Sequence, residues 1–504
     1  MPAISIDGRS LTLAQFQAVV LEGSACELAP AALAGVRAAE RTVADTVARA
    51  APVYGINTGF GDLAKVGIAR ENLEQLQERL LLSHAAGVGE PLSDEAVRGM
   101  LLLRANTLAR GHSGVRPVVI ETLLALLNAD ILPLVPSRGS VGASGDLAPL
   151  SHLALPLIGR GRVRVNGGIE DAAGAMARAS IAPIALEAKE GLALINGTQA
   201  MTSLLALGVT ASQRLVRIAD LVAAMATDAL RGTDTAFDPR LHELRPHPGQ
   251  RVSAANLWAL MQGSAIRESH REGDVRVQDP YSLRCAPQVH GAVRDVLGDV
   301  ERKLLIEMNS VTDNPLIFPD DEQVLSGGNF HGQPMALASD ILTIAIAELG
   351  AISERRIEKL TNTAFSGLPP FLVEDAGLNS GFMMAQVTAA ALASESKVLS
   401  HPASVDSIPT SADKEDHVSM GMGAALKLQS VIENTARILA IELAAAAQGI
   451  DLLRPLRSSP RLEALHAALR ERIPVWHEDR EMARDLDAAR AFLEEIDPFL
   501  EALG

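Results

Sequence analysis

Apolar positions along the chain recur mainly at helical spacing, interrupted by short polar connectors rich in glycine and proline. Residues 1–50 read as a short strand or loop followed by an alanine-rich amphipathic helix. Pro52 and the cluster Gly55, Gly59 and Gly61 break that pattern, and YGINTGFGDL (54–63) predicts a loop because it offers no amphipathic face. Helical spacing resumes over 71–86 with Leu73, Leu76, Leu80 and Leu81. After Gly114, Pro117 falls in the first turn of a helix with Val118, Leu123, Leu124 and Leu127 as its apolar face, and Asn128 and Pro133 end it. A second glycine loop, SRGSVGASGD (137–146), comes next. Asp146 is placed to cap the following helix, with Pro149 in its first turns.

From about residue 200 the texture changes to long helical patterns at 201–230, 289–309, 334–362, 383–400 and 418–447, then a polar helix-rich tail over 460–502. The chain is therefore expected to be mainly α. An N-terminal globular part (1–200) would carry the glycine loop, and a bundle of long, near-parallel helices with a helical tail (201–504) would form the rest. No short-period solenoid repeat occurs, and the acidic run PDDE (319–322) reads as a solvated loop.

Composition sharpens this picture. Aromatic residues are only 3% of 504, while alanine and leucine are frequent, which favours helix over sheet. With 45 Lys plus Arg against 61 Asp plus Glu, the net charge is −16, which argues against nonspecific binding to nucleic acid or an anionic membrane. Two cysteines, Cys26 and Cys285, make neither a disulfide framework nor a multi-cysteine metal site. The N-terminus lacks a signal-peptide pattern, and no run of ~20 uninterrupted apolar residues suggests a membrane span. A cytoplasmic setting is expected.

Common cofactor signatures are missing. There is no P-loop, and the glycines at 139, 142 and 145 do not have dinucleotide-binding spacing. Asp146 breaks a nucleophile elbow around Ser144. His242-Glu243 with His247 is one residue too long for the zinc motif, and Pro246 interrupts its helix, so no metal is expected. The tripeptide Ala143-Ser144-Gly145 offers different chemistry. The Gly145 nitrogen can attack the Ala143 carbonyl carbon with loss of two waters, leaving Ser144 as an exocyclic methylidene on an imidazolone ring. Glycine suits the attacking position because it lacks Cβ. The product is an electrophile, a function the twenty side chains lack. Taken alone, the tripeptide is also a simple flexible loop.

The motifs around it are more specific: YGINTGFG (54–61), LSHAAGVG (82–89), SRGSVGASGDLAPLSH (137–152), INGTQ (195–199), QDPYSLRC (278–285), TDNP (312–315), SGGNFHG (326–332) and SVDSIPTSADKEDHVSMG (404–421). In this order, and spread over most of the chain, they resemble the histidine ammonia-lyase family within the wider aromatic amino-acid ammonia-lyases and aminomutases. The resemblance implies a 4-methylidene-imidazol-5-one formed autocatalytically from Ala143-Ser144-Gly145, with no metal or diffusible cofactor. It implies that Tyr54 removes the substrate β-proton and that Asn196 hydrogen-bonds the imidazolone oxygen and the substrate, as an oxyanion-hole donor does. It further implies that Arg284 holds the substrate carboxylate with its planar fork. Gln278 and Tyr281 would lie beside substrate and ring, and Phe330 would line the site.

Substrate choice rests on His84 and Glu415. Ser83-His84 is the histidine-type pair, and Glu415 matches the position where histidine enzymes carry Glu and phenylalanine enzymes Gln. A carboxylate accepts from an imidazole N–H but has nothing to bind on a phenyl ring. The chain departs from the family at Lys414, where the histidine-type stretch usually has Gln, which sets a cation beside Glu415. The expected reaction is L-histidine to trans-urocanate and ammonia. The alternative is a lyase or 2,3-aminomutase of the same family acting on another aromatic or modified histidine substrate. The resemblance also implies a homotetramer whose active sites draw on more than one subunit.

Overall fold

Helix dominates this computed structural model, which describes residues 3–49, 52–59, 67–274, 276–501 and 503–504. The chain divides into two compact units: Met1–Gly208 with Glu301–Asp340 and Pro402–Leu426, and Val209–Val300 with Ile341–His401 and Lys427–Gly504. They are not the contiguous parts 1–200 and 201–504. Segments 301–340 and 402–426 belong with the N-terminal residues, and four helices of more than twenty residues cross the division, so no change of composition marks it. Periodicity reveals where helices run but not which of them share a core.

In the N-terminal segment of the first unit the helices are α1 (Leu13–Val20), α2 (Pro30–Ala48), α3 (Leu73–His84), α4 (Asp94–Ala109), α5 (Pro117–Asn128), α6 (Leu147–Ala154), α7 (Ala172–Arg178), α8 (Glu190–Ile195) and the first part of α9 (Gln199–Ala229). Their ends follow local chemistry. Thr12 and Gln15 form a capping box before α1, and the Ser93 hydroxyl caps α4 by accepting from the Ala96 N–H. Pro117 opens α5, and Val119, Ile120, Leu123, Leu124, Leu126 and Leu127 are its buried face. Val118 is instead exposed. In the continuous apolar run Val118-Val119-Ile120, spacing alone does not choose the face.

Short strands set the loops between these helices. Ile4–Ile6 pairs in parallel with Cys26–Leu28, and Val88–Pro91 pairs antiparallel with Pro136–Arg138. The second pairing matters most for function, because it joins the segment just after α3 to the segment just before the 139–146 loop. The Gly87 N–H also donates to His152 Nε2 on α6 at 3.0 Å. Helices α3, α6 and α8 pack against one another. The C-terminal ends of α3 and α8 and the N-terminal end of α6 thereby meet in one corner. The acidic run 319–322 turns a hairpin between Leu316–Phe318 and Gln323–Leu325. Asp321 and Glu322 are exposed there, as expected of a solvated loop.

The second unit is a helical bundle with buried ion pairs. Arg356 and Ser353 both donate to Glu442, which is wholly buried. Asp220 accepts from His290 Nδ1 at 2.7 Å, Arg294 Nη2 at 2.8 Å and Asn256 Nδ2 at 2.9 Å. Burial pushes the Asp220 carboxyl up, but His290 and Arg294 outweigh burial and hold it at about 2. His242 spends Nε2 on the Ala236 carbonyl and Nδ1 on the Gln250 side chain, away from any metal role. Among the described residues one helix, Gln333–Thr361, is long and apolar enough by length and composition to cross a membrane. Two-thirds of its apolar window (67%) is buried, as in a core helix.

In the first unit Lys189 and Asp313 form a fully buried pair at 2.8 Å. Lys189→Met leaves the buried Asp313 carboxylate without its paired ammonium, and should lower stability by about 3–5 kcal/mol. Replacing both, as Lys189→Met with Asp313→Leu, should restore most of the loss. Urea denaturation of the two variants checks this, and additive losses would contradict it.

Candidate active site

A cavity of about 910 Å³ opens in the first unit, lined by residues from every segment of that unit. Tyr54, His84, Ala143, Ser144, Asn196, Phe330 and Glu415 all line it. Gly145 lies buried behind Ser144. Gln278, Tyr281 and Arg284 belong to the second unit and are not among the lining residues. Tyr281 is 69% exposed, and the Arg284 guanidinium sits 4.5 Å from the centre of its ring.

Each lining residue is placed by its local structure. Tyr54 stands in a turn anchored by Ile56, which packs into the core with Ala39, Val43 and Ile317. Gly55 has φ +76°, and a Cβ there would meet Pro315 Cδ at 2.7 Å and Leu192 Cδ2 at 2.8 Å. That turn therefore needs glycine, both for its dihedral and for the close approach. The rest of the YGINTGFGDL loop, 60–63 with Gly61, lies outside the described residues. His84 is the last residue of α3, with Ser83 Oγ 3.0 Å from its Nδ1. Burial lowers the His84 pKa, opposed by the hydrogen bond with the Leu80 carbonyl and by the Glu415 charge, so the imidazole is neutral at pH 7.

Asn196 is the C-cap of α8, not a helix N-cap. Its Oδ1 is buried without a hydrogen-bond partner, while its backbone carbonyl accepts from Arg104 Nη1 at 3.2 Å. Ser144 Oγ donates to Glu415 Oε1 at 2.6 Å, and Thr410 Oγ1 donates to Glu415 Oε2 at 2.6 Å. Lys414 is exposed and lines the same cavity. The loop bearing Glu415 is pinned to the serine loop, because Ser419 Oγ donates to the Gly142 carbonyl and the Met420 N–H to that of Val141.

Asp146 follows the tripeptide and precedes α6, yet its side chain does not cap α6. Its carboxylate instead accepts from the Met201 N–H at 2.9 Å, in the first turn of α9, and from Ser140 Oγ at 2.8 Å. Its own N–H donates to the Gly197 carbonyl at 2.7 Å. Gly145 has φ +72°, and a Cβ on it would lie 2.1 Å from that same carbonyl oxygen. The serine loop is thus packed where only glycine fits, with Ser144 turned to the cavity and an unpartnered amide oxygen among the walls. These features fit a prosthetic ring made from the tripeptide. Among the described residues no group of three or more His, Cys, Asp or Glu could hold a metal ion.

Several lining residues carried no assigned role in the sequence: Arg79 one turn before Ser83, Asn314 of TDNP, and His331 and His417. Their signal was present in part, since three of the four lie inside the quoted motifs. Asn314 Oδ1 accepts from the Gly327 N–H at 2.7 Å and so shapes the loop leading to Phe330. The rings of His331 and His417 are near-parallel at 6.0 Å, and His331 Nε2 lies 3.2 Å from the His417 carbonyl.

The helical architecture and a cavity with Ser144 turned into it define the class of protein to which the chain can be compared. Residues 11–471 match the family described as aromatic amino acid lyase, and the chain belongs to that family. Histidine ammonia-lyase of Deinococcus radiodurans is 55% identical over 478 residues, covering 95% of this chain and 91% of that protein. The crystal structure of histidine ammonia-lyase from Trypanosoma cruzi is similar with a TM-score of 0.92 and 46% identity, covering 99% of this chain and 95% of that one. Tyrosine aminomutase from Streptomyces globisporus has a TM-score of 0.93 at 39% identity, covering 99% and 98%.

Burial pushes the Asp146 carboxyl from 3.8 up to about 6, against the pull of its donors. The folded chain therefore holds this proton more tightly than the unfolded chain. The stabilising contribution is complete below the unfolded value and is lost as pH rises through the folded one, a change on the order of 3 kcal/mol. Asp146→Asn cannot titrate. The stability of wild type relative to this variant should fall between pH 4 and pH 7 in denaturant titrations, and a flat difference would contradict the shift.

Proposed function

We propose that this chain is an ammonia-lyase that converts L-histidine to trans-urocanate and ammonia, using a 4-methylidene-imidazol-5-one made from its own Ala143-Ser144-Gly145. The observation that carries the reading is that His84 and Glu415 line the same cavity as Ser144, in a chain whose close relatives bear the name histidine ammonia-lyase. When formed, the ring supplies the electrophile that makes the substrate amine a leaving group.

The side chains do the rest. Tyr54 Oη takes the β-proton. A phenol of pKa ~10 is a weak base at neutral pH, so turnover rises in mild alkali. Asn196 directs its amide at the imidazolone oxygen and the substrate, and Phe330 walls the cavity beside them. The neutral His84 imidazole and the Glu415 carboxylate hold the substrate imidazole. Loss of the Ser144 hydroxyl as water removes the donor now on Glu415 Oε1 and leaves that oxygen open to substrate, while Thr410 keeps Oε2 in place.

Arg284 takes the substrate carboxylate with two charge-assisted hydrogen bonds, with Gln278 and Tyr281 beside it. These three serve the cavity of another copy in a homotetramer. The reading is supported by the exposure of Tyr281, and by apolar side chains left uncovered on the helix Met383–Leu399: Met384 at 60%, Val387 at 47% and Val398 at 71%. The setting is cytoplasmic, consistent with two cysteines that are both free.

Purified enzyme should raise absorbance in the urocanate band on L-histidine and not turn over L-phenylalanine or L-tyrosine. The likeness to an aminomutase makes a β-amino acid the product to exclude by chromatography. Ser144→Ala should retain its full encoded mass and lose nearly all turnover; wild-type rates in this variant would end the electrophile reading. Glu415→Gln should lower kcat/KM on L-histidine roughly 10- to 100-fold, as for losing a hydrogen bond to a charged group. Unchanged kinetics would remove Glu415 from substrate recognition.

A further inference from the structure

Closing a ring over 143–145 requires the Gly145 nitrogen to be pressed onto the Ala143 carbonyl carbon. The new C–N bond expels the Ala143 carbonyl oxygen as water, with the hydrogens of the Gly145 and Ser144 amides. A second water takes the Ser144 hydroxyl and its Cα hydrogen and leaves the C=C bond. No oxidant or outside reagent is needed, so the demand on the protein is mechanical, namely a wall behind Gly145 that does not give.

Gly197 is that wall. It is bridged to Gly145 as a parallel neighbour, and its carbonyl takes the Asp146 N–H. Behind Gly197 lies Arg104 of α4, since a Cβ at 197 would come within 2.3 Å of Arg104 Nη1. The guanidinium is wholly buried. Nη1 donates to Asn196 O at 3.2 Å, Thr312 O at 3.3 Å and Gln199 Oε1 at 2.9 Å, and Nη2 donates to Ala193 O. Gln199 is fixed in turn by donating to Thr107 Oγ1 at 3.1 Å and Thr312 Oγ1 at 2.7 Å. All four acceptors of the cation are neutral, and the nearby carboxylate of Asp313 is paired with Lys189. Burying a charge in this way is costly, and Nη1 and Nη2 are placed on acceptors while Nε is buried without one. The planar fork reaches the end of α8, the start of α9 and the 312–314 loop together, which a lysine ammonium on its flexible stem does not.

We infer that Arg104 is a positioning residue for self-processing: it locks the Asn196–Gly197 peptide as the rigid backing of Gly145, and so sets the rate of ring closure. The inference rests on the reading of 143–145 given above. It makes Arg104 necessary for the electrophile to form, with no contact of its own to substrate.

The test is intact mass, with circular dichroism and thermal midpoint, on full-length wild type, Arg104→Lys and Gln199→Ala at fixed times after induced expression. Wild type should be two waters lighter than encoded. Arg104→Lys should keep wild-type helicity but form ring at least roughly tenfold more slowly, as expected for losing charge-assisted bonds. Its ring-bearing fraction should keep the wild-type KM for L-histidine. Gln199→Ala, which leaves the charge but removes one acceptor and its two anchors, should fall between. Folded Arg104→Lys that closes its ring at the wild-type rate overturns the inference alone. Wild type at its full encoded mass removes the reading of 143–145 and the inference with it. Should Arg104→Lys not fold, ring closure at the wild-type rate in folded Gln199→Ala overturns the inference, and slowed closure supports it.

Discussion

A single buried carboxylate joins the parts of the catalytic unit. Asp146 takes the N–H of Met201 at the start of α9 and the hydroxyl of Ser140 in its own loop, while its backbone N–H reaches the Gly197 carbonyl. The serine loop, the peptide after Asn196 and the start of α9 are therefore tied together. Placing an acid at a helix N-terminus is favourable, because the first-turn N–H groups lack partners and carry the positive end of the dipole. Here the acid comes from a loop more than fifty residues away in sequence, so the cap doubles as a tertiary clamp. Without it, the serine loop would be held only by the contacts of Ser144, Val141 and Gly142 with the 415–420 segment and by those within the loop.

That clamp also explains what was and was not legible in the sequence. The helices were legible because apolar spacing is local: Pro117–Asn128, Leu73–His84 and the five long helices after residue 199 lie close to where periodicity puts them. The family was legible because the motifs around the serine loop are dense and ordered. The partner of Asp146 was not. A side chain next to a helix start is read as its cap, and nothing local says that a distant helix offers better-placed N–H groups. The same holds for Asn196, whose place after α8 follows from where that short helix stops. It holds again for the grouping of 301–340 and 402–426 with the N-terminal residues, which long-range packing decides.

Charge in the cavity follows from backbone geometry as much as from composition. Ser411, Ala412 and Asp413 run consecutively through left-handed dihedrals (φ 52°, 52° and 64°), a conformation that costs each roughly 1–2 kcal/mol. The strained turn is closed by the antiparallel bridge between Thr410 and Glu415. Its effect is to bring the Thr410 hydroxyl onto the Glu415 carboxylate while Lys414, its chain neighbour, stays exposed. The carboxylate oxygens accept from the Ser144 and Thr410 hydroxyls, and no bond to Lys414 competes with them.

The ends of helices, more than their faces, build this site. His84 closes α3, Asn196 caps the C-terminus of α8, and Ser144 stands just before α6. Helix ends carry unsatisfied backbone groups, so a corner where three of them meet is polar by construction and must be supplied with partners. Arg104 supplies them for α8, and Asp146 for α9. The backbone at these two helix ends is thereby paired before any ligand enters the cavity. This pairing makes the site sensitive to distance. A shift at any one helix end changes which carbonyl or N–H is orphaned, and the buried arginine and aspartate that answer those groups have no solvent to fall back on.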